Sequence, residues 1–126
     1  MDLYDVVYAR KSVRKYSPKA LSEQVLDKIE EVVDKADRLY NNINITANIV
    51  KEGNKIQEIM SGIIGSYGKI KAPHYMVISS EVKEGYLENL GYTFEEVVLS
   101  LTSMGIATCW IGGHIKKDLL DNRVEI

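Results

Sequence analysis

Two stretches decide the reading of this chain: Arg10-Lys11-Ser12-Val13-Arg14-Lys15-Tyr16 near its start and Gly105-Ile106-Ala107-Thr108-Cys109-Trp110-Ile111-Gly112-Gly113 near its end. The first follows a short apolar segment of Leu3, Val6, Val7 and Tyr8, and puts three cations and a hydroxyl between residues 10 and 14. An extended backbone would send Arg10, Ser12 and Arg14 to one side, and Lys11 and Val13 to the other. That side would offer two guanidinium forks and a hydroxyl donor, a set suited to a phosphate. A solvated basic loop is the plainer alternative. The second stretch is an apolar run that ends in two glycines. Glycines after a buried strand let backbone approach a flat ligand, because no Cβ intervenes.

Composition narrows the classes around these stretches. The chain has 126 residues, 45% hydrophobic and 27% charged, which is enough for one domain with its own core. A net charge of −2 gives no global field toward nucleic acid or anionic membranes, so the basic run is judged as a local site. Cys109 is the only cysteine, which excludes an internal disulfide and a multi-cysteine metal site. His74 and His114 have no partners at metal-ligand spacing, so no metal is expected. The sequence shows no signal peptide pattern and no apolar run long enough for a bilayer, and a reducing, cytoplasmic setting is the expectation.

Periodicity gives the organisation. Residues 2–9 read as a short helix capped by Asp2, and residues 10–20 as an extended loop. Ser22 caps a second helix, with Val25, Leu26, Ile29, Val32, Val33 and Ala36 on one face. Ile43, Ile45, Ala47 and Ile49 alternate as a strand over 43–50. A helix is expected over 55–64, ended by Gly65 and Gly68, and a strand over 74–79. The longest helix spans 86–104, with a stripe of Leu90, Phe94, Val97, Val98, Leu101 and Met104 and with Gly105 as its cap. Residues 106–111 read as a central buried strand, 116–120 as a helical turn and 123–126 as a strand. Helices and strands interspersed in this way predict an α+β domain over residues 1–126.

Together the two stretches resemble signatures of the nitroreductase family of flavoproteins: Arg-Lys-Ser-Val-Arg at the start, and Trp110-Ile111-Gly112-Gly113 after a long helix. The resemblance implies a mixed sheet flanked by helices, FMN as cofactor, and a homodimer with the flavin at its interface. It implies that Arg10 and Ser12 hold the phosphate, that Lys11 lies along the ribityl or phosphate side, and that Arg14 reaches the pyrimidine edge of the ring. A cation at that edge stabilises the negative charge that builds on the ring during reduction. Trp110, Ile111, Gly112 and Gly113 would lie alongside the ring, with a backbone N–H there donating to it. The implied activity carries electrons from NAD(P)H to a small conjugated acceptor such as a nitroaromatic or quinone. His114 follows the glycines and is a lesser candidate for substrate contact.

The chain departs from the family pattern in two places. Asn41–Asn54 stands where many members have a Pro-Ser-Ser/Ala segment followed by Gln-Pro-Trp. Asn122-Arg123-Val124-Glu125-Ile126 alternates like a strand and reads as an element cut short, so the expectation is a domain lacking the family's C-terminal segment. These departures define the competing function, a non-catalytic binding or interaction domain that kept the scaffold and lost full flavin binding. A nucleic-acid role for residues 10–15 is opposed by the net charge and by the lack of interleaved aromatics.

Overall fold

The alternating residues of the middle of the chain form a hairpin, β1 (Ile45–Val50) and β2 (Tyr75–Ser80), paired antiparallel with Ala47 opposite Ile78 and Ile49 opposite Met76. The computed structural model describes residues 2–60 and 70–111. Around the hairpin lie α1 (Leu3–Ala9), α2 (Glu23–Lys35), α3 (Gly53–Met60) and α4 (Tyr86–Ser103). Because strand side chains alternate, each face of the hairpin takes a different helix partner. Ile45, Ala47, Ile49, Met76 and Ile78 pack against the core shared by α2 and α4. Val50, Tyr75 and Val77 pack with Ile56 of α3. The result is an α+β arrangement with helices on both faces of the strand pair.

The helices form where periodicity and caps place them. Asp2 caps α1 by accepting the Asp5 N–H at 2.9 Å, and Ser22 caps α2 by accepting the Val25 N–H at 3.2 Å. The apolar stripe of α2 buries Leu26, Ile29 and Val33, followed by Ala36, against Phe94, Val97 and Leu101 of α4. Burying a side chain such as Phe94 contributes about 1.5–3 kcal/mol. α4 ends in a Schellman turn. Gly105 adopts φ +80°, its N–H donates to Thr102 O, and the Ile106 N–H donates to Leu101 O at 2.9 Å.

Three expectations are corrected. The fully apolar run 106–111 is not a central strand. Among the described residues it pairs through the parallel bridge between Thr108 and Ser12, while Ala107 and Trp110 are exposed. The Schellman turn carries this run past the basic stretch; among the described residues Ile106 and Ile111 pack their side chains on the cores that the hairpin shares, without backbone pairing to it. The buried face of α4 holds Phe94, Val97 and Leu101 of the expected stripe, with Leu90 packed against them, but differs at its edges. Asn89 and Thr93 are fully buried and Met104 is exposed. Asn89 is inside because its Oδ1 accepts the Tyr40 N–H at 2.8 Å, supplying a partner for the loop after α2. Finally, α3 starts at Gly53, two residues before the expected helix. The expected helix residues 61–64 with Gly65 and Gly68, the turn at 116–120 and the strand at 123–126 lie outside the described residues.

Gly53 locks the approach to β2. Its N–H donates to Pro73 O at 3.0 Å, and a Cβ here would overlap Ala72 O and sit 2.8 Å from Pro73 O. Both obstacles are backbone and cannot swing away. Gly53→Ala should therefore lower stability by about 2–3 kcal/mol, an overpacking cost. A urea melt reads this as a lower midpoint with an unchanged slope; an unmoved midpoint would show that the chain before β2 has room to shift.

Candidate functional site

Two helix ends deliver the two diagnostic stretches to one place. Arg10 is the C-cap of α1 and leaves it in extended geometry, its N–H donating to Val6 O at 2.9 Å. The Schellman turn of α4 sends Ile106 and its successors back toward the same point. There Ser12 and Thr108 form a parallel bridge, and the Val13 N–H donates to Thr108 O at 3.0 Å.

The polar groups at this join are incompletely matched. Arg10 Nη1 and Thr108 Oγ1 are both buried, and neither has a hydrogen-bond partner among the described residues. Arg10 and Ser12 are half-buried, whereas Lys11, Arg14 and Lys15 are exposed. A buried polar group without a partner costs about 1–3 kcal/mol, more when it is charged. A fold that holds a guanidinium this way has a donor ready for an anion.

Tyr16, half-buried in the basic stretch, feels the charge of groups on other segments. Burial pushes its phenol above the ordinary tyrosine range, the neighbouring Cys109 and Tyr75 push the same way, and the Arg14 guanidinium opposes them. The phenol thus stays neutral and protonated through the physiological range. Cys109 is a half-buried free thiol. Trp110 is 46% exposed, which removes core packing as its role. The Ile111 side chain packs against the cluster around Val50 and Ile56. Gly112, Gly113 and His114 lie outside the described residues. Of the residues expected at the site, the structure joins Arg10 and Ser12 to the strip containing Trp110 and Ile111.

Two residues were missed by sequence reasoning. Thr108 sat unnoticed in the apolar run; its signal was the lone hydroxyl among apolar neighbours. His74 was considered only as a metal ligand. Among the described residues no group of three His, Cys, Asp or Glu side chains could hold a metal ion. His74 instead cross-links three segments. Its Nε2 accepts the Leu21 N–H at 2.9 Å, so the ring proton sits on Nδ1, which donates to Lys51 O at 2.9 Å. Leu21 is the last residue before the α2 cap. The basic loop is therefore pinned at its start by Thr108 and at its exit by His74.

Comparisons with known proteins bear on this arrangement. Residues 2–125 match the family described as "Putative TM nitroreductase". Among solved structures, a nitroreductase family protein from Clostridium novyi NT superposes with a TM-score of 0.74 at 24% identity, over 96% of this chain and 75% of that one. A nitroreductase with bound FMN from Bacteroides fragilis NCTC 9343 gives 0.65 at 24% identity, over 88% and 70%. A "Putative NADH dehydrogenase/NAD(P)H nitroreductase" from Bacteroides thetaiotaomicron VPI-5482 gives 0.72 at 15% identity, over 94% and 72%. No curated protein matches the chain.

The His74 cross-link makes a specific demand on the loop. His74→Ala removes one acceptor and one donor and should cost about 1–3 kcal/mol. Hydrogen exchange at the Leu21 amide should speed by about 5- to 150-fold, following that loss. His74→Gln keeps an acceptor and a donor in the side chain and should recover part of the protection. Unchanged exchange at Leu21 in His74→Ala would show that the loop exit is held by other contacts.

Proposed function

Because this chain belongs to the nitroreductase family, we propose that it is an FMN-dependent oxidoreductase that carries electrons from NAD(P)H to a small conjugated acceptor, such as a nitroaromatic or quinone. The observation that carries the reading is the buried, unpartnered Nη1 of Arg10, two residues before the Ser12–Thr108 bridge. An FMN phosphate has a charge of about −2 and three acceptor oxygens, and so fits the donor the fold leaves open. The neighbour from Bacteroides fragilis, crystallised with FMN, supports the choice of cofactor.

When bound, the flavin supplies the redox step, accepting a hydride from NAD(P)H and releasing electrons to the acceptor that replaces it. The chain's own residues bind and orient. Arg10 and Ser12 take the phosphate, with Lys11 along the phosphate or ribityl side. Arg14, exposed at the far end of the run, is free to reach the pyrimidine edge, where its charge favours the reduced ring. Trp110, with Ile111, Gly112 and Gly113, borders the ring face. Tyr16 remains neutral beside Arg14 and so adds no negative charge near the run.

The same reading makes the protein a cytoplasmic homodimer that acts on small molecules and not on nucleic acid or membranes. The outer face of α1 supports the assembly. Tyr4, Val7 and Tyr8 are all more than half exposed there, and the two tyrosine rings meet edge to face with centroids 5.6 Å apart. Among the described residues no helix is long and apolar enough to cross a membrane.

Purified protein titrated with FMN should quench flavin fluorescence and carry the visible flavin spectrum, and NAD(P)H should bleach that spectrum. Arg10→Ala should weaken FMN binding about 10- to 100-fold, the loss of one charge-assisted hydrogen bond. Arg10→Lys should restore only part of it, since an ammonium cannot reproduce the guanidinium fork. A folded chain that takes up no flavin would favour the non-catalytic scaffold instead.

A further inference from the structure

We propose that Thr108 is a phosphate-binding residue, its hydroxyl forming with Arg10 and Ser12 a three-point donor set that holds the phosphoryl group of the flavin nucleotide. This rests on the flavin reading above and adds a residue to it.

In a parallel pairing, residues in register project their side chains to the same face, with backbones about 4.8 Å apart. Ser12 and Thr108 are such a pair. Their hydroxyls therefore share one face, at a spacing that one phosphate can span. Arg10 lies two residues before Ser12 and, in extended backbone, joins the same face. Arg10 has an extended C-cap conformation, with φ −68° and ψ 136°. The stretch thus collects one guanidinium and two hydroxyls on one side.

Two atoms of this set, Arg10 Nη1 and Thr108 Oγ1, are buried and lack partners among the described residues. The Thr102 hydroxyl turns to a nearby carbonyl, Val98 O at 2.9 Å, whereas Thr93 in the core and Thr108 at the join do not, and of these two only Thr108 stands in register with another hydroxyl. Thr108 has its carbonyl taken by the Val13 N–H, and its hydroxyl makes no such local bond. An orphaned hydroxyl in register with Ser12 and an orphaned guanidinium nitrogen two residues before Ser12 are costly in the free protein, and one shared acceptor would satisfy both. A phosphoryl oxygen accepts from both. A neutral ligand edge would leave the guanidinium uncompensated.

The test separates a binding role from a packing role because the two predict opposite effects. Thr108→Val is nearly isosteric and removes only the unpartnered hydroxyl. Its flavin-free melting temperature should therefore be unchanged or higher. Its affinity for FMN should fall about tenfold, while affinity for riboflavin, which lacks the phosphate, stays at the wild-type value. Thr108→Ser should bind FMN within a few-fold of wild type, and Thr108→Ala should repeat the loss seen with valine. Equal FMN affinity in wild type, Thr108→Val and Thr108→Ala would overturn the proposal and leave the flavin reading intact. Parallel loss of FMN and riboflavin would also overturn it, because the hydroxyl would then serve the ring or the packing. Wild-type protein that binds neither compound would overturn the flavin reading, and this proposal with it.

Discussion

The hydrogen bond from the Val13 N–H to Thr108 O, at 3.0 Å, closes a contact between segments 95 residues apart in number (108 − 13). It is a single rung, not a sheet. Its position nevertheless decides whether a ligand site exists, since each diagnostic stretch alone is an exposed strip with no opposing wall. The two helix ends make the rung possible. α1 stops at Ala9 and releases Arg10 into extended backbone. α4 stops in a Schellman turn that needs the positive φ of Gly105. If either helix ran on by a turn, the stretches would pass without meeting.

A single rung needs help to be stable, and the help comes from packing beyond the site. α1 and α4 lie against each other, with Val6 fully buried. At the far end of the basic loop, His74 holds Leu21 to the end of β1 through Lys51 O. The loop between these anchors carries Tyr16, which is half-buried. The hairpin, though not part of the site, therefore sets the loop's exit. Gly53 and the chain before β2 fix His74 in place, so packing on the α3 face is coupled to the placement of the cations.

Much of this was legible in the residues. The caps at Asp2 and Ser22, the α2 stripe and the glycine after α4 follow local rules, and local rules hold where a segment's partners are its own neighbours. The two strands of the hairpin were also expected, to within two residues at either end. What failed was non-local. Residues 106–111 read as a buried strand because apolar composition reports a preference for burial, not the presence of a pairing partner. Asn89 was hidden because its role is to satisfy a backbone N–H of Tyr40, 49 residues earlier in number (89 − 40). His74 was weighed against metal spacing, and its true partners are two backbone groups that no side-chain pattern reveals.

The candidate site follows the same division. Arg10 and Ser12 were readable because alternation in an extended run is a local property. Thr108 was not, because its importance comes from register with Ser12, and register is set by where two helices end. That dependence bears on the balance between stability and binding. A core optimised only for stability would have valine at 108 and a partner for Arg10. The chain instead carries a hydroxyl at Thr108 and a guanidinium nitrogen at Arg10 that no described residue satisfies, on two segments joined by the Ser12–Thr108 bridge. Strain of this kind is commonly held at functional sites, where a ligand relieves it. The unmatched pair is thus both the least stable feature of the join and the feature that gives it a preferred ligand charge.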